Sequence, residues 1–243
     1  MNENPNQGQE RRLTAGSPLA IPVAIIIGFG LIAASIYLSA NKAVTPEETG
    51  DETFDTTALS NLAPITEKDH IRGNPNAKLV IVEYSDFDCP FCKSFHATLG
   101  RIMEEYGTNG EVAWVYRHYP LKELHPSAFY VAEASECVAS IGGNDAFWKF
   151  ADLVFMERGT NEPSDIARLP EFAEASGVSK VDFEACLSSG RGKTKVETDL
   201  ANALSTGGRG TPHTILLIGG EMMPIEGAQP YEIVKQMVEG MLR

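Results

Sequence analysis

The chain has 243 residues, 43% of them hydrophobic, which suffices for one sizeable globular domain with accessories. A net charge of −13 argues against the basic face of a nucleic-acid binder, and four cysteines are too few for a disulfide-dense miniature scaffold. No internal repeat, P-loop or Rossmann glycine pattern is present.

The first informative stretch is apolar. Arg11 and Arg12 precede an uncharged run that lasts until Lys42, and its core is LAIPVAIIIGFGLIAASIYLSA, Leu19 to Ala40. As a helix this core measures about 33 Å, enough for a hydrocarbon layer of about 30 Å. A cleaved signal peptide is the alternative, but its apolar region is only about 7–15 residues long. Run length favours an uncleaved transmembrane signal-anchor over residues 19–40, with 1–18 as a cytoplasmic tail. Two arginines in front and Lys42 alone behind put the N-terminus inside. The rest of the chain then lies outside the cytoplasmic membrane, in a periplasm or on the outer face, where disulfides form and persist.

Residues 41–63, NKAVTPEETGDETFDTTALSNLA, carry many Thr, Glu and Asp residues and no periodic apolar face. They read as an extended acidic linker, with a folded domain over 64–243. AKLVIVEYSDF holds a continuous, β-branched apolar run from Leu79 to Val82, the signature of a central strand buried on both faces. In CPFCKSFHATLGRIMEEYG, Phe95, Leu99, Ile102 and Met103 recur at helical spacing, and Gly107 is a helix stop. EVAWVYRHYPL is a second strand.

From about 122 to 205 the pattern is helical, in segments that include PSAFYVAEASECVASIG, DAFWKFADLVFMERG, SDIARLPEFAEASG and KVDFEACLSSGRGKTKVETDLANALSTG. HTILLIGGEMMPIEG reads as two strands turning at Gly219 and Gly220, and PYEIVKQMVEGMLR as a last helix. The order is strand–helix–strand, helical block, strand–strand–helix, an α/β domain with a helical insertion.

Cys89 and Cys92, three apart in EYSDFDCPFCKSFH, admit three readings: a metal clip, a structural staple or a working redox pair. The strand before and the helix after place Cys89 at the N-cap, Pro90 at the first helical position and Cys92 one turn on. Free N–H groups and the positive helix end favour an anion at Cys89, which lowers its pKa and makes it a good leaving group. Cys92 points into the helix–sheet junction as the resolving thiol.

With VEYSDFDCPFCKSFH, the later GTP ahead of a strand and the helical block between them, residues 64–243 resemble the DsbA-like, thioredoxin-fold thiol–disulfide oxidoreductases. The membrane-anchored bacterial members are the most similar. The resemblance implies that Cys89 is the nucleophile and Cys92 resolves. It implies a cis-proline element at Thr211–Pro212, where the Thr211 backbone is free to pair with an extended substrate. On its position alone, Pro212 is equally an ordinary strand-entry proline.

Pro90, Phe91 and His213 border the same expected substrate groove. Glu83, facing the same way as Leu79 and Ile81, reads either as a buried proton relay beneath the cysteines, as the resemblance implies, or as a solvated strand end. Phe91 stands where the strongest oxidants of the family carry histidine and supplies no charge to Cys89. The expectation is therefore an oxidant weaker than those members but stronger than thioredoxin, whose potential is about −270 mV.

Cys137 and Cys186 have three fates: buried free thiols, a structural bond to each other, or a four-sulfur zinc site with the first pair. The oxidising compartment favours the bond, and the spacing of 49 disfavours zinc. His96, one turn after Cys92, reads as a thiol-tuning group or a partly exposed helix residue. His70, His118, His125 and His213 show no metal-ligand spacing.

The expected function is a membrane-tethered, extracytoplasmic oxidase of protein thiols. It needs no metal or cofactor beyond its cysteines, and the resemblance implies a membrane quinone-linked partner. A reductase or isomerase of the same fold, or a module binding a soft metal through the thiols, are the alternatives.

Overall fold

The computed structural model describes residues 56–243. The expected tail over 1–18, the signal-anchor over 19–40 and most of the linker lie outside the described residues. Among those described, no helix is long and apolar enough to cross a membrane.

A five-stranded sheet in the order β1-β3-β2-β4-β5 organises the domain. Its central strand is β2, Leu79–Ser85, buried over nearly its whole length. It runs parallel to β3, Val112–His118, and antiparallel to β4, His213–Ile218. β5, Glu221–Glu226, pairs antiparallel with β4 across Gly219 and Gly220. Both turn glycines have positive φ, 56° and 92°, which a two-residue hairpin of this hand demands and glycine adopts without strain. The edge strand β1, His70–Gly73, pairs antiparallel with β3 and was not legible in the sequence. It holds a single strongly apolar residue, Ile71, so no alternation announces it.

The two faces of β2 divide the core. Leu79 and Ile81 join Phe95, Leu99 and Ile102 of helix α2 (Pro90–Ile102), Val234 and Val238 of the C-terminal helix α7 (Tyr231–Leu242), and the apolar side of the insertion. Val82 and Tyr84 join Val115, Ile215, Ala203 and Leu59 on the other face. Leu59 belongs to the short helical turn α1, Thr56–Leu59, and is 2% exposed.

Asn61 donates to the Ser205 carbonyl at 2.9 Å, and the Ala63 amide donates to Asn202 Oδ1 at 3.1 Å. The stretch 56–63, expected to be linker, is thus folded onto the domain. Two leucines three apart, Leu59 and Leu62, are too brief a pattern to stand out in an acidic segment, yet both cover the second face of the sheet.

The insertion consists of α3 (Ala128–Glu157), α4 (Leu169–Ala175), α5 (Lys180–Ser188) and α6 (Lys193–Ser205). Gly143, at φ 78° and ψ −171°, breaks α3 into two arms, which match the two segments read from the sequence. A disulfide joins Cys137 of α3 to Cys186 of α5, with the Cα atoms 5.7 Å apart. Phe147, Trp148 and Phe150 on the second arm of α3 are core residues, each at most 5% exposed.

Candidate active site

At the end of β2 the chain turns through Asp86–Phe87–Asp88 and enters α2. Cys89 is the N-cap in extended conformation (φ −75°, ψ 125°) and Pro90 opens the helix, where its missing N–H costs nothing. Cys89 is 3% exposed and Cys92 fully buried, and both are free thiols. The Cys89 thiol donates to the Thr211 carbonyl at 3.4 Å, and the peptide bond from Thr211 to Pro212 is cis. The cysteine pair and the Thr211–Pro212 element, 119 residues apart from Cys92 to Thr211 in the sequence, are thereby brought together.

The two sulfurs have unlike environments. The Cys89 pKa is drawn down to about 6, first by the hydrogen bond from the Cys92 thiol, then by the Thr211 side chain and the amides of Cys92 and Phe91, while burial opposes them. The helix-opening amides expected to do this work therefore rank behind the partner thiol. Burial pushes the Cys92 pKa well above its usual value, and the neighbouring charges of Cys89 and Glu83 add to it.

Glu83 is fully buried beneath the pair. Burial raises its pKa to about 7, so the carboxyl is divided between its two forms at neutral pH. Trp114 Nε1 donates to Glu83 Oε2 at 3.0 Å, while Oε1 has no hydrogen-bond partner among the described residues.

The turn that presents Cys89 is fixed by two buried aspartates that sequence reasoning missed. Asp86 accepts from the Asp88 and Leu121 amides and from His125 Nδ1, each at 2.8 Å. Asp88 accepts from the Ser164 amide at 2.8 Å and hydroxyl at 2.6 Å, and from the Ser127 hydroxyl. Ser127 and Ser164 belong to the insertion, so these acids moor the cysteine turn to the helical block. Their only sequence signal is the short SDFDC run, which equally suits a solvated turn.

Other expected site residues diverge. Phe91 is 65% exposed, beside a cleft of about 320 Å³ whose walls include Pro90, Leu124, His125, Pro126 and Pro163. His213 does not border this groove. It pairs in register with Tyr84, stacks on that ring at 5.5 Å and meets Thr206 Oγ1 at 3.0 Å, on the face of the sheet opposite the cysteines. Burial pushes its pKa down to about 4. Alternation along β4 turns His213 away, which proximity to Pro212 in sequence conceals.

His96 is neither exposed nor a thiol partner: it is 8% exposed, and its Nε2 meets Asp152 Oδ1 at 2.7 Å. Two histidines without ligand spacing in sequence do converge. His70 and His118 both direct Nε2 at Glu136 Oε1, at 2.5 and 2.7 Å. Among the described residues this is a donor set that could hold a metal ion. His118 Nδ1, however, is buried with no partner, whereas a metal-bound histidine is normally held by a carboxylate or carbonyl at its other nitrogen. The trio fits a hydrogen-bonded clamp tying α3 to β1 and β3.

The family model described as thioredoxin matches residues 65–239. Among solved structures, the chain is similar to oxidised BdbD of Bacillus subtilis, with 20% identity and a TM-score of 0.63 over 73% of this chain and 94% of that one. It is also similar to the thiol-disulfide exchange protein alpha-DsbA2 of Wolbachia pipientis, with 17% identity and a TM-score of 0.60 over 76% of this chain and 96% of that one. A curated relative, Na(+)/H(+) antiporter NhaA 1 of Mycolicibacterium gilvum, is 32% identical over 183 residues, 75% of this chain and 26% of its own length. The chain spans about a quarter of such relatives, so an antiporter's name describes proteins mostly outside the match.

Proposed function

The chain belongs to the thioredoxin family, and from that premise we propose that it is an extracytoplasmic thiol–disulfide oxidoreductase that oxidises protein thiols through Cys89 and Cys92. One observation carries the reading: two cysteines one turn apart, the outer drawn down to about 6 and the inner pushed far up, over a half-ionised buried carboxyl. The fold shared with a protein named for thiol-disulfide exchange supports it.

In the oxidised enzyme, a substrate thiolate attacks Cys89 Sγ. A mixed disulfide forms, and the Cys89–Cys92 bond breaks with its electron pair going to Cys92. That thiolate is buried and strongly basic, and Glu83 in its protonated form supplies its proton. A second substrate thiolate then attacks the substrate sulfur of the mixed disulfide and releases Cys89 as a thiolate. The substrate leaves with one new disulfide and the enzyme holds the two electrons. In reverse, ionised Glu83 accepts the proton of Cys92 as it attacks. The low pKa of Cys89 makes it the better leaving group and stabilises the reduced enzyme, which inclines the pair towards oxidising its substrates. Extended substrate pairs with the Thr211 backbone, with Pro90 and Phe91 flanking the reacting sulfur. Residues 19–40 tether the domain outside the cytoplasmic membrane, within reach of a quinone-linked partner that reoxidises it.

Mixed disulfides should be trapped with Cys92→Ser and not with Cys89→Ser; the reverse pattern overturns the assignment of roles. A reduction potential above thioredoxin's value of about −270 mV is expected, and one at or below it makes the protein a reductase.

A further inference from the structure

The carbonyl of Cys89 receives a side chain as well as the first-turn amide of Lys93. Arg158, the residue at which α3 ends, donates from Nη2 to that oxygen at 3.0 Å. Its Nη1 donates to the carbonyls of Gly159, Thr160 and Glu162 at 3.2, 3.3 and 2.8 Å. All four acceptors are backbone carbonyls and none is a carboxylate. Arg158 is only 6% exposed, so a guanidinium that stays charged at any physiological pH is buried against the backbone of the reactive cysteine. Lys93 on α2 reciprocates, giving its ammonium to the carbonyls of Phe155, Met156 and Arg158. The end of α3 and the start of α2 are thus laced together by two cations.

The acids around this junction are otherwise engaged. Asp88 is held by Ser127 and Ser164, and Asp86 by His125 and two amides. Asp88, Cys89, Asp86 and Cys92 nevertheless all feel the Arg158 charge, in that order of strength. Glu83 and Tyr116 also face Cys92, and the Lys93 ammonium lies beside the Arg158 charge.

We propose that Arg158 is a positioning residue for Cys89, holding its carbonyl and lending the thiolate a positive charge that the uncharged Phe91 does not supply. The insertion then does more than wall the cleft: the end of its longest helix tunes the redox pair. The guanidinium sits 3.0 Å from the carbonyl of the same residue, and a nearby opposite charge favours the ionised thiol, which stabilises the reduced enzyme and raises its oxidising power.

This inference rests on Cys89 being the reactive thiol. The test titrates the Cys89 thiolate by its ultraviolet absorbance in the reduced full chain, and equilibrates each variant with glutathione. Arg158→Met should raise the Cys89 midpoint by about one unit. At pH 7 that weakens the oxidising equilibrium about five-fold, or roughly 20 mV. Arg158→Lys, which keeps the charge and loses the fork, should titrate close to the wild type. Should the Met variant not fold, Arg158→Gln keeps a donor for the Cys89 carbonyl, lacks the charge and should shift in the same way. A role in folding alone would lower thermal stability and leave the midpoint in place. Uncharged variants titrating with the wild type, or a Lys variant shifting as far as they do, overturn the inference. A wild-type midpoint near 9 would instead overturn the reading beneath it.

Discussion

Cys89 and Cys92 are the same side chain three positions apart, and burial alone would push both pKa values up. They separate because their contacts differ: Cys89 accepts from its partner thiol and two amides, while Cys92 sits in the core with the charges of Cys89 and Glu83 against it. Glu83 shares the burial of Cys92: its carboxyl is shut away from water with only Trp114 and Ser85 to favour its charge. A carboxyl whose pKa is raised on folding contributes stability that is complete below the unfolded value of 4.5 and is lost as pH rises through about 7. Glu83→Gln should therefore be more stable than the wild type at pH 8, by about 3 kcal/mol, and no different at pH 4. Urea unfolding of the oxidised protein at the two pH values checks this; equal stability at pH 8 would mean that Glu83 is solvated. The same variant should flatten the pH dependence of mixed-disulfide resolution near 7. The CPFC run, its position at a helix start and Glu83's place on the apolar side of its strand were readable because each depends on local order. The distant partners of Asp86, Asp88 and Arg158 were not, because the hydrogen bonds to Leu121, Ser164 and Cys89 close over 35 to 76 residues of intervening chain.

At the scale of elements, two devices hold the insertion to the sheet and to itself. The Cys137–Cys186 bond closes a loop of 49 residues. On the chain-entropy account it should contribute about 4 kcal/mol, so replacing both cysteines with serine should lower the urea midpoint accordingly without moving the Cys89 titration. No loss of stability would show that α3 and α5 are held by packing alone. The Glu136 clamp is the second device, reaching from α3 to His70 on β1 and His118 on β3. Glu136→Ala removes two hydrogen bonds to a charged acceptor and should cost about 3 kcal/mol, measured by the same unfolding. The central strand, the glycine-turned hairpin and the helices were legible through their apolar periods. Edge strand β1 was not, since pairing with β3 defines it, and neither was the packing of 56–63, where the Leu59–Leu62 pair is too short a pattern to announce a buried face.

At the scale of the molecule, the domain offers a cleft walled by Pro90 and the insertion, next to Cys89, whose barely exposed sulfur touches the cis-proline element. The proposed tether adds a location. The full chain should pellet with membranes and resist extraction by high salt, and removal of residues 1–40 should release it; a full chain that stays soluble overturns the tether and leaves the chemistry intact. The account as a whole turns on Cys89 being a thiolate at neutral pH. The most direct measurement is the pH dependence of its thiolate absorbance in the reduced protein, with Cys92→Ser alongside to assign the signal. A midpoint near 6 is expected in the wild type, and a low midpoint should persist in Cys92→Ser, whose hydroxyl still donates to Cys89. A wild-type midpoint near 9, that of an ordinary thiol, would contradict it.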